Sequence, residues 1–258
     1  MRAVLLLALN SWVENLRNRF FGLVLAFAGT VLYLSMLLGL LASDQEVRVL
    51  LDFGLGFIEL MGLVGAVYGA STVVLREMES KTVYMILTRP VERSSYLLGR
   101  YLGLMLSVGG AMLIMAGAHV FMLVLKGWAF RPDYCWAFLG AFLKVLVTGS
   151  LALFLALSTT SALSALSITM IIWSLGHFLP EIRLMVRRFG SDSTLLMAPL
   201  QAVSWVIPDL QLFNLRDRLD LPAGLAQCVP VGSWLVYAAG YCCVWLVLSS
   251  ALFKRKEF

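Results

Sequence analysis

Charge is what this chain has least of. Aspartate, glutamate, lysine and arginine together make up 14% of its 258 residues, against 60% hydrophobic residues and a mean hydropathy of +0.88. Soluble domains hold about 45–50% apolar and about 25% charged residues, so a water-exposed globule could not cover this much apolar surface. A bilayer can. Histidine is nearly absent: His119 and His177 are the only two. No carboxylate or cysteine stands at metal-ligand spacing on the same face, so both read as hydrogen-bonded bundle residues rather than metal ligands or proton relays. The four cysteines show no C-x-x-C pair, which speaks against a metal centre or a redox dithiol. No G-x-x-x-x-G-K-[S/T] phosphate loop occurs. Internal repeats, low-complexity tracts and linkers are missing too, so residues 1–258 read as one membrane domain. The net charge of +5 is dispersed over segment ends, which fits helix orientation and not a nucleic-acid footprint.

What the sequence does have is long apolar runs. Crossing about 30 Å of hydrocarbon takes about 20 residues, and six runs qualify: 20–43, 53–75, 96–125, 135–157, 160–179 and 232–253. The first 19 residues differ. Leu5, Leu9, Trp12, Val13, Leu16 and Phe20 recur on one helical face, with Asn10, Glu14, Arg17 and Asn18 opposite. That pattern predicts a helix lying in the membrane interface. Arg2 before seven apolar residues could also open a signal peptide, but no small-x-small cleavage site follows before Trp12. The expected fold is an all-α integral membrane protein, an N-terminal interfacial helix plus six transmembrane helices.

Orientation follows from lysine and arginine. Arg2, Arg17, Arg19, Arg76, Lys81, Arg89, Arg93, Arg100, Lys254, Arg255 and Lys256 all fall on one side, and Arg48, Lys126 and Arg131 on the other. The positive-inside rule then puts both termini in the cytoplasm of a cell whose inner membrane holds the protein. The arginines of segment 180–231 (Arg183, Arg187, Arg188, Arg216 and Arg218) would lie outside, against the trend.

The segment Leu75–Gly103, LREMESKTVYMILTRPVERSSYLLGRYLG, is a basic interruption between two apolar runs. Arg76–Leu87 can extend the second span as a helix. Arg89 precedes Pro90 and is biased out of the helical region, so the chain breaks there. Pro90 suits the start of a new helix, and Glu92 suits its dipole. Val83, Tyr84, Met85 and Ile86 would be exposed on a free loop, which argues for a covering partner.

The pattern Arg76-Glu77-x-Glu79-x-Lys81-Thr82, then Ile86-Leu87-Thr88-Arg89-Pro90-Val91-x-Arg93, then Tyr96-x-x-Gly99-Arg100-x-x-Gly103 resembles the permease subunits of ABC transporters of the type-2 exporter class. Lys81 replaces the usual glycine, and Arg100 the usual lysine. The stretch Ile207-Pro208-Asp209-Leu210-Gln211-x-Phe213-Asn214-Leu215-Arg216-Asp217 looks like the corresponding stretch of the copper-enzyme-maturation and gliding-type branch. The resemblance implies a coupling helix at 76–92, where Arg76, Glu77, Glu79, Lys81, Thr82, Arg89, Pro90 and Arg93 dock a separate cytoplasmic nucleotide-binding ATPase. It implies ATP and Mg on that partner and no cofactor here, a permease dimer, by symmetry a homodimer, and no catalysis by this chain. The alternative is a stand-alone secondary transporter or an assembly scaffold. A secondary transporter would show inverted repeats and broken midplane helices, and neither is visible in the sequence.

Two charges lie inside spans, Glu59 and Lys144. Each costs about 2.5–3.5 kcal/mol at the bilayer centre on insertion scales, so each should face protein or water. They line a translocation path, or they form a structural ion pair or hydrogen bond. For Glu59, about two turns from the end of its run, snorkelling is a third reading. Gly103, Gly109, Gly110 and Gly117 permit close packing of the third span. In the segment 180–231, Ile182, Met185, Val186 and Phe189 oppose Arg183, Arg187 and Arg188, a short in-plane helix with its arginines toward headgroups. Ser191–Ser193 offers a cap for a second short helix from Thr194. The segment is a lid over the path or padding for the bundle. Cys135 and Cys228 fall on the same outer side, where a disulfide could form.

Overall fold

A computed structural model describes residues 6, 8–13, 19–41, 46–79, 93–159, 161–189, 207–214 and 231–255. Among these there are helices and no strand. Residues 8–13 are helical, followed by α1 (Arg19–Leu41), α2 (Glu46–Glu79), α3 (Arg93–Leu125), α4 (Asp133–Ser158), α5 (Ala162–His177), α6 (Leu179–Phe189), a short 3-10 turn (Leu210–Phe213) and α7 (Val231–Arg255).

Five of these helices (α1, α2, α3, α4 and α7) are long and apolar enough to cross a membrane, and α5 with α6, bent by 59° at the break, is a candidate for a sixth, broken span. The expected third and fourth runs, 96–125 and 135–157, match α3 and α4 closely. The expected fifth run, 160–179, ends as a helix at His177, where Phe178 leaves the helical conformation. The backbone of α2 continues past its apolar stretch, Val47–Ser71, as far as Glu79.

The centre of the bundle is the α2–α4 pair. Against it pack α1 and α3 on the α2 side and α7 on the α4 side, while α5 rests on both. The core is aliphatic, with Leu50, Leu63, Ala66 and Val67 of α2 and Val145, Val147, Ala152 and Leu157 of α4 buried. Apolar burial alone gives helices no reason to associate in lipid, so close fit and polar ties matter more here. Gly54, Gly62 and Gly69 of α2 give such a fit, since a Cβ on each would collide with His119, Met112 and Leu104 of α3. Of the glycines expected to do this on α3, Gly103 and Gly109 do, against residues 8–12 and Phe142. Gly110 and Gly117 instead face open space.

The helix at residues 8–13 lies on the beginning of α3. Its protein-facing side is small: Ala8 and Ser11 are buried, with Arg100 Nη1 donating to Ser11 Oγ at 3.0 Å. Leu9, Trp12 and Val13 point away from the bundle, as an apolar stripe meant for lipid should.

Contacts sort the helix termini into two ends. One end holds residues 8–13, the end of α2, the start of α3, the α4–α5 turn and the end of α7, where Tyr96 stacks on Phe253. The other holds the start of α2, the α3–α4 turn, the 3-10 turn and the start of α7, where Phe213 meets Trp234. At that second end His119 is a three-helix tie: Tyr134 Oη of α4 lies 2.9 Å from Nδ1 and the Leu50 carbonyl of α2 lies 3.0 Å from Nε2. The carbonyl can only accept, so Nε2 carries the proton and Tyr134 donates to Nδ1. This is the hydrogen-bonded bundle histidine that the sequence suggests.

Candidate functional site

Glu59 stands halfway along the apolar stretch 47–71 of α2, and Lys144 close to the middle of α4. Both are 2% exposed, and Lys144 Nζ donates to Glu59 Oε2 at 3.1 Å. The two charges form an ion pair. Glu59 lies too deep for snorkelling: its helix begins at Glu46, well before the apolar run that placed it near an end.

Sequence spacing missed the third member. His177, in the last turn of α5, brings Nε2 to 3.3 Å from Glu59 Oε1 and 3.3 Å from Lys144 Nζ. Its Nδ1 lies 3.1 Å from the Trp173 carbonyl, and its ring meets the Trp173 ring edge-on at 4.5 Å between centroids. Nδ1 must donate to that carbonyl, so a neutral imidazole offers its Nε2 lone pair to the Lys144 ammonium. The cluster then carries one negative and one positive charge. Positions 59, 144 and 177 are far apart in the chain, and only the packing of α2, α4 and α5 joins them. Folded back along α4, the 16 residues of α5 end opposite Lys144.

The chain beyond the bend is pinned into the bundle and does not lie loose over it. Gly176 of α5 and Gly140 of α4 have no side chain where the carbonyls of Pro208 and Phe213 come against the helices. Leu210 and Phe213 are fully buried. Asp209, 4% exposed, accepts from Arg183 Nη1 of α6 at 2.6 Å, and its own N–H donates to Tyr237 Oη of α7 at 2.8 Å. Arg183 therefore turns to a protein carboxylate, where the amphipathic pattern sent it to headgroups. Its partner lies 26 residues on, beyond any helical period. The proposed cap at 191–193 and Cys228 lie outside the described residues; Cys135 is an exposed free thiol.

The predicted docking residues are only partly placed. Arg76, Glu77 and Glu79 belong to the last turns of α2, and Arg93 is the first residue of α3. Lys81, Thr82, Arg89 and Pro90 lie outside the described residues. Among the described residues no group of three or more His, Cys, Asp or Glu side chains could hold a metal. An apolar groove of about 380 Å³ lies between α3 and α4, with Met105, Leu106, Gly110 and Phe142 in its wall.

Comparison with curated proteins gives no match. The family described as ABC-2 family transporter protein matches residues 21–258, nearly the whole chain and every helix from α1 onward. With five to six candidate spans and that match, the chain belongs to the ABC-2 transporter family and is a multi-pass membrane permease, a transport component and not itself a catalyst.

Proposed function

We propose that this chain is the membrane half of an ATP-driven exporter of the copper-enzyme-maturation and gliding-type branch. It works as a homodimer with separate cytoplasmic ATPase subunits that carry ATP and Mg. Both termini and the segment 76–92 face the cytoplasm of a cell whose inner membrane holds the protein. The observation that carries this reading is the length of α2. It overshoots its apolar stretch by two turns, to Glu79, and α3 resumes at Arg93 after a short basic segment. A partner docked at 76–92 would therefore push on a rigid rod. About twenty residues up that rod sits Glu59, tied to α4. Movement of α2 would reach the core through that tie, and Glu59 and Lys144 would border the path that opens between helices or between the two copies.

Glu79→Arg tests the docking. Truncating or reversing one member of a desolvated charge pair at an interface costs about 2–5 kcal/mol, so the variant should lose the ATPase on co-purification by tens-fold while inserting and dimerising normally. Pro90→Ala should retain the ATPase and its hydrolysis in proteoliposomes but lose transport. Stoichiometric ATPase and normal transport with Glu79→Arg would remove 76–92 as the coupling site. The stand-alone alternative draws on one feature, the bent α5–α6 span beside buried charges, which is how secondary transporters build midplane sites. Transport by the permease without any ATPase would favour it.

A further inference from the structure

We propose that Glu59, Lys144 and His177 form a proton-binding site at the break between α5 and α6, with the Nε2 atom of His177 as the group that takes up the proton. This stands independently of the ATPase docking.

Geometry carries it. Nε2 faces two groups that want opposite things of it: Lys144 Nζ at 3.3 Å needs a lone pair, and Glu59 Oε1 at 3.3 Å needs a donor. One nitrogen cannot satisfy both. With His177 neutral, Lys144 donates to Glu59 Oε2 and to Nε2. With a proton on Nε2, that atom donates to Glu59 Oε1, Lys144 loses one acceptor, and two cations share one carboxylate. The two arrangements differ by one proton and by which residue holds α5 to the bundle, so the site is bistable. The other ring nitrogen is already committed to Trp173, which fixes the ring so that Nε2 keeps facing the pair. Position helps as well. His177 closes α5, and the negative end of a helix dipole favours a cation there. Broken helix ends at mid-bilayer depth are where transporters coordinate protons and small cations.

Charges on the other elements packed against α5 do not compete. Just before the 3-10 turn, Asp209 is held by Arg183 of α6, and Glu181 in the first turn of α6 is exposed. Access runs through the imidazole, whose side chain is 24% exposed while those of Glu59 and Lys144 are 3% and 2%. Protonation would loosen α5 from Lys144 beside a bend that already separates α5 from α6, and so couple pH to the pose of the α6–3-10 unit.

Trp173 supplies the reporter, because an imidazolium against an indole quenches its emission more than a neutral imidazole does. The full chain in lipid nanodiscs is titrated between pH 5 and 8, the range in which histidine commonly changes charge. Trp173→Phe provides the blank against the seven tryptophans. The expected result is a reversible transition that is absent in H177Q and in the blank. Glu59→Gln removes the anion that welcomes the proton and should move the transition to more acidic pH. Lys144→Gln removes the repelling cation and should move it the opposite way. A flat wild-type titration, a transition that survives in H177Q, or shifts of the same sign in the two charge variants would each overturn the proposal. The opposite shifts keep it testable should H177Q not fold.

Discussion

Glu59 and Lys144 each carry a full charge into the middle of the bundle, and each is tolerable only because the other is there. Removing one partner of a buried pair typically costs about 3–5 kcal/mol, because it strands a charge, whereas replacing both with apolar groups is often neutral. Glu59→Leu and Lys144→Leu should each lower resistance to unfolding in a denaturant titration by about that much. The double variant should recover most of the loss, giving a large coupling energy in the cycle. Additive losses would mean that the two do not act as a pair. A second residue-scale expectation concerns Gly54, which has no side chain because His119 occupies the space. Gly54→Ala should destabilise by about 1–3 kcal/mol through overpacking, and His119→Ala in the same chain should relieve the clash at the expense of the ties to Leu50 and Tyr134. No relief in the double variant would show that the clash is not what limits this position.

Among the elements, the 3-10 turn is the one whose place no local rule foretells. Its four residues make no hydrophobic pattern, yet they wedge between α4, α5 and α7 because Gly140 and Gly176 leave room for backbone carbonyls. Gly140→Val should expel the turn, exposing α6 and the 207–214 segment to hydrogen exchange while α1–α3 stay protected. Gly110→Val, an equal substitution into open space on α3, should leave the exchange pattern as it was. Equal effects from the two would mean that Gly140 serves helix flexibility and not the wedge. The helix at 8–13 is the counter-example. Its lipid-facing stripe was visible as periodicity, and only its seat on Gly103 needed the third dimension.

At the scale of the whole molecule the question is which end faces which compartment. Cys135 begins α4 at the end shared with the α3–α4 turn, and Ser94 begins α3 at the opposite end. With the other cysteines replaced, Cys135 should react with a membrane-impermeant thiol reagent in intact cells. A lone cysteine at Ser94 should react only after permeabilisation. The reverse pattern would invert the orientation and remove 76–92 from the cytoplasm, where an ATPase could meet it.

The sequence by itself determined the class, the spans and the family. Hydrocarbon thickness fixes the length of an apolar run, and a backbone with no water to bond must form a helix, so a local count of residues finds each span. The run 53–75 was placed several residues late because Arg48 and Asp52 interrupt the start of the apolar stretch Val47–Ser71, within a helix that begins at Glu46. Five of the six expected spans stand as continuous helices; the other, 160–179, stops as a helix at His177, where the chain bends, which apolar content does not encode. Only the tertiary structure decided what the buried charges do. Glu59, Lys144 and His177 sit on three helices, and Arg183, Asp209 and Tyr237 on three further pieces, and each group is joined by contacts between residues remote in the chain. A charge in lipid announces from sequence that it needs a partner. Which partner it finds depends on helix rotation and depth, and these are set by side-chain fit across the whole bundle.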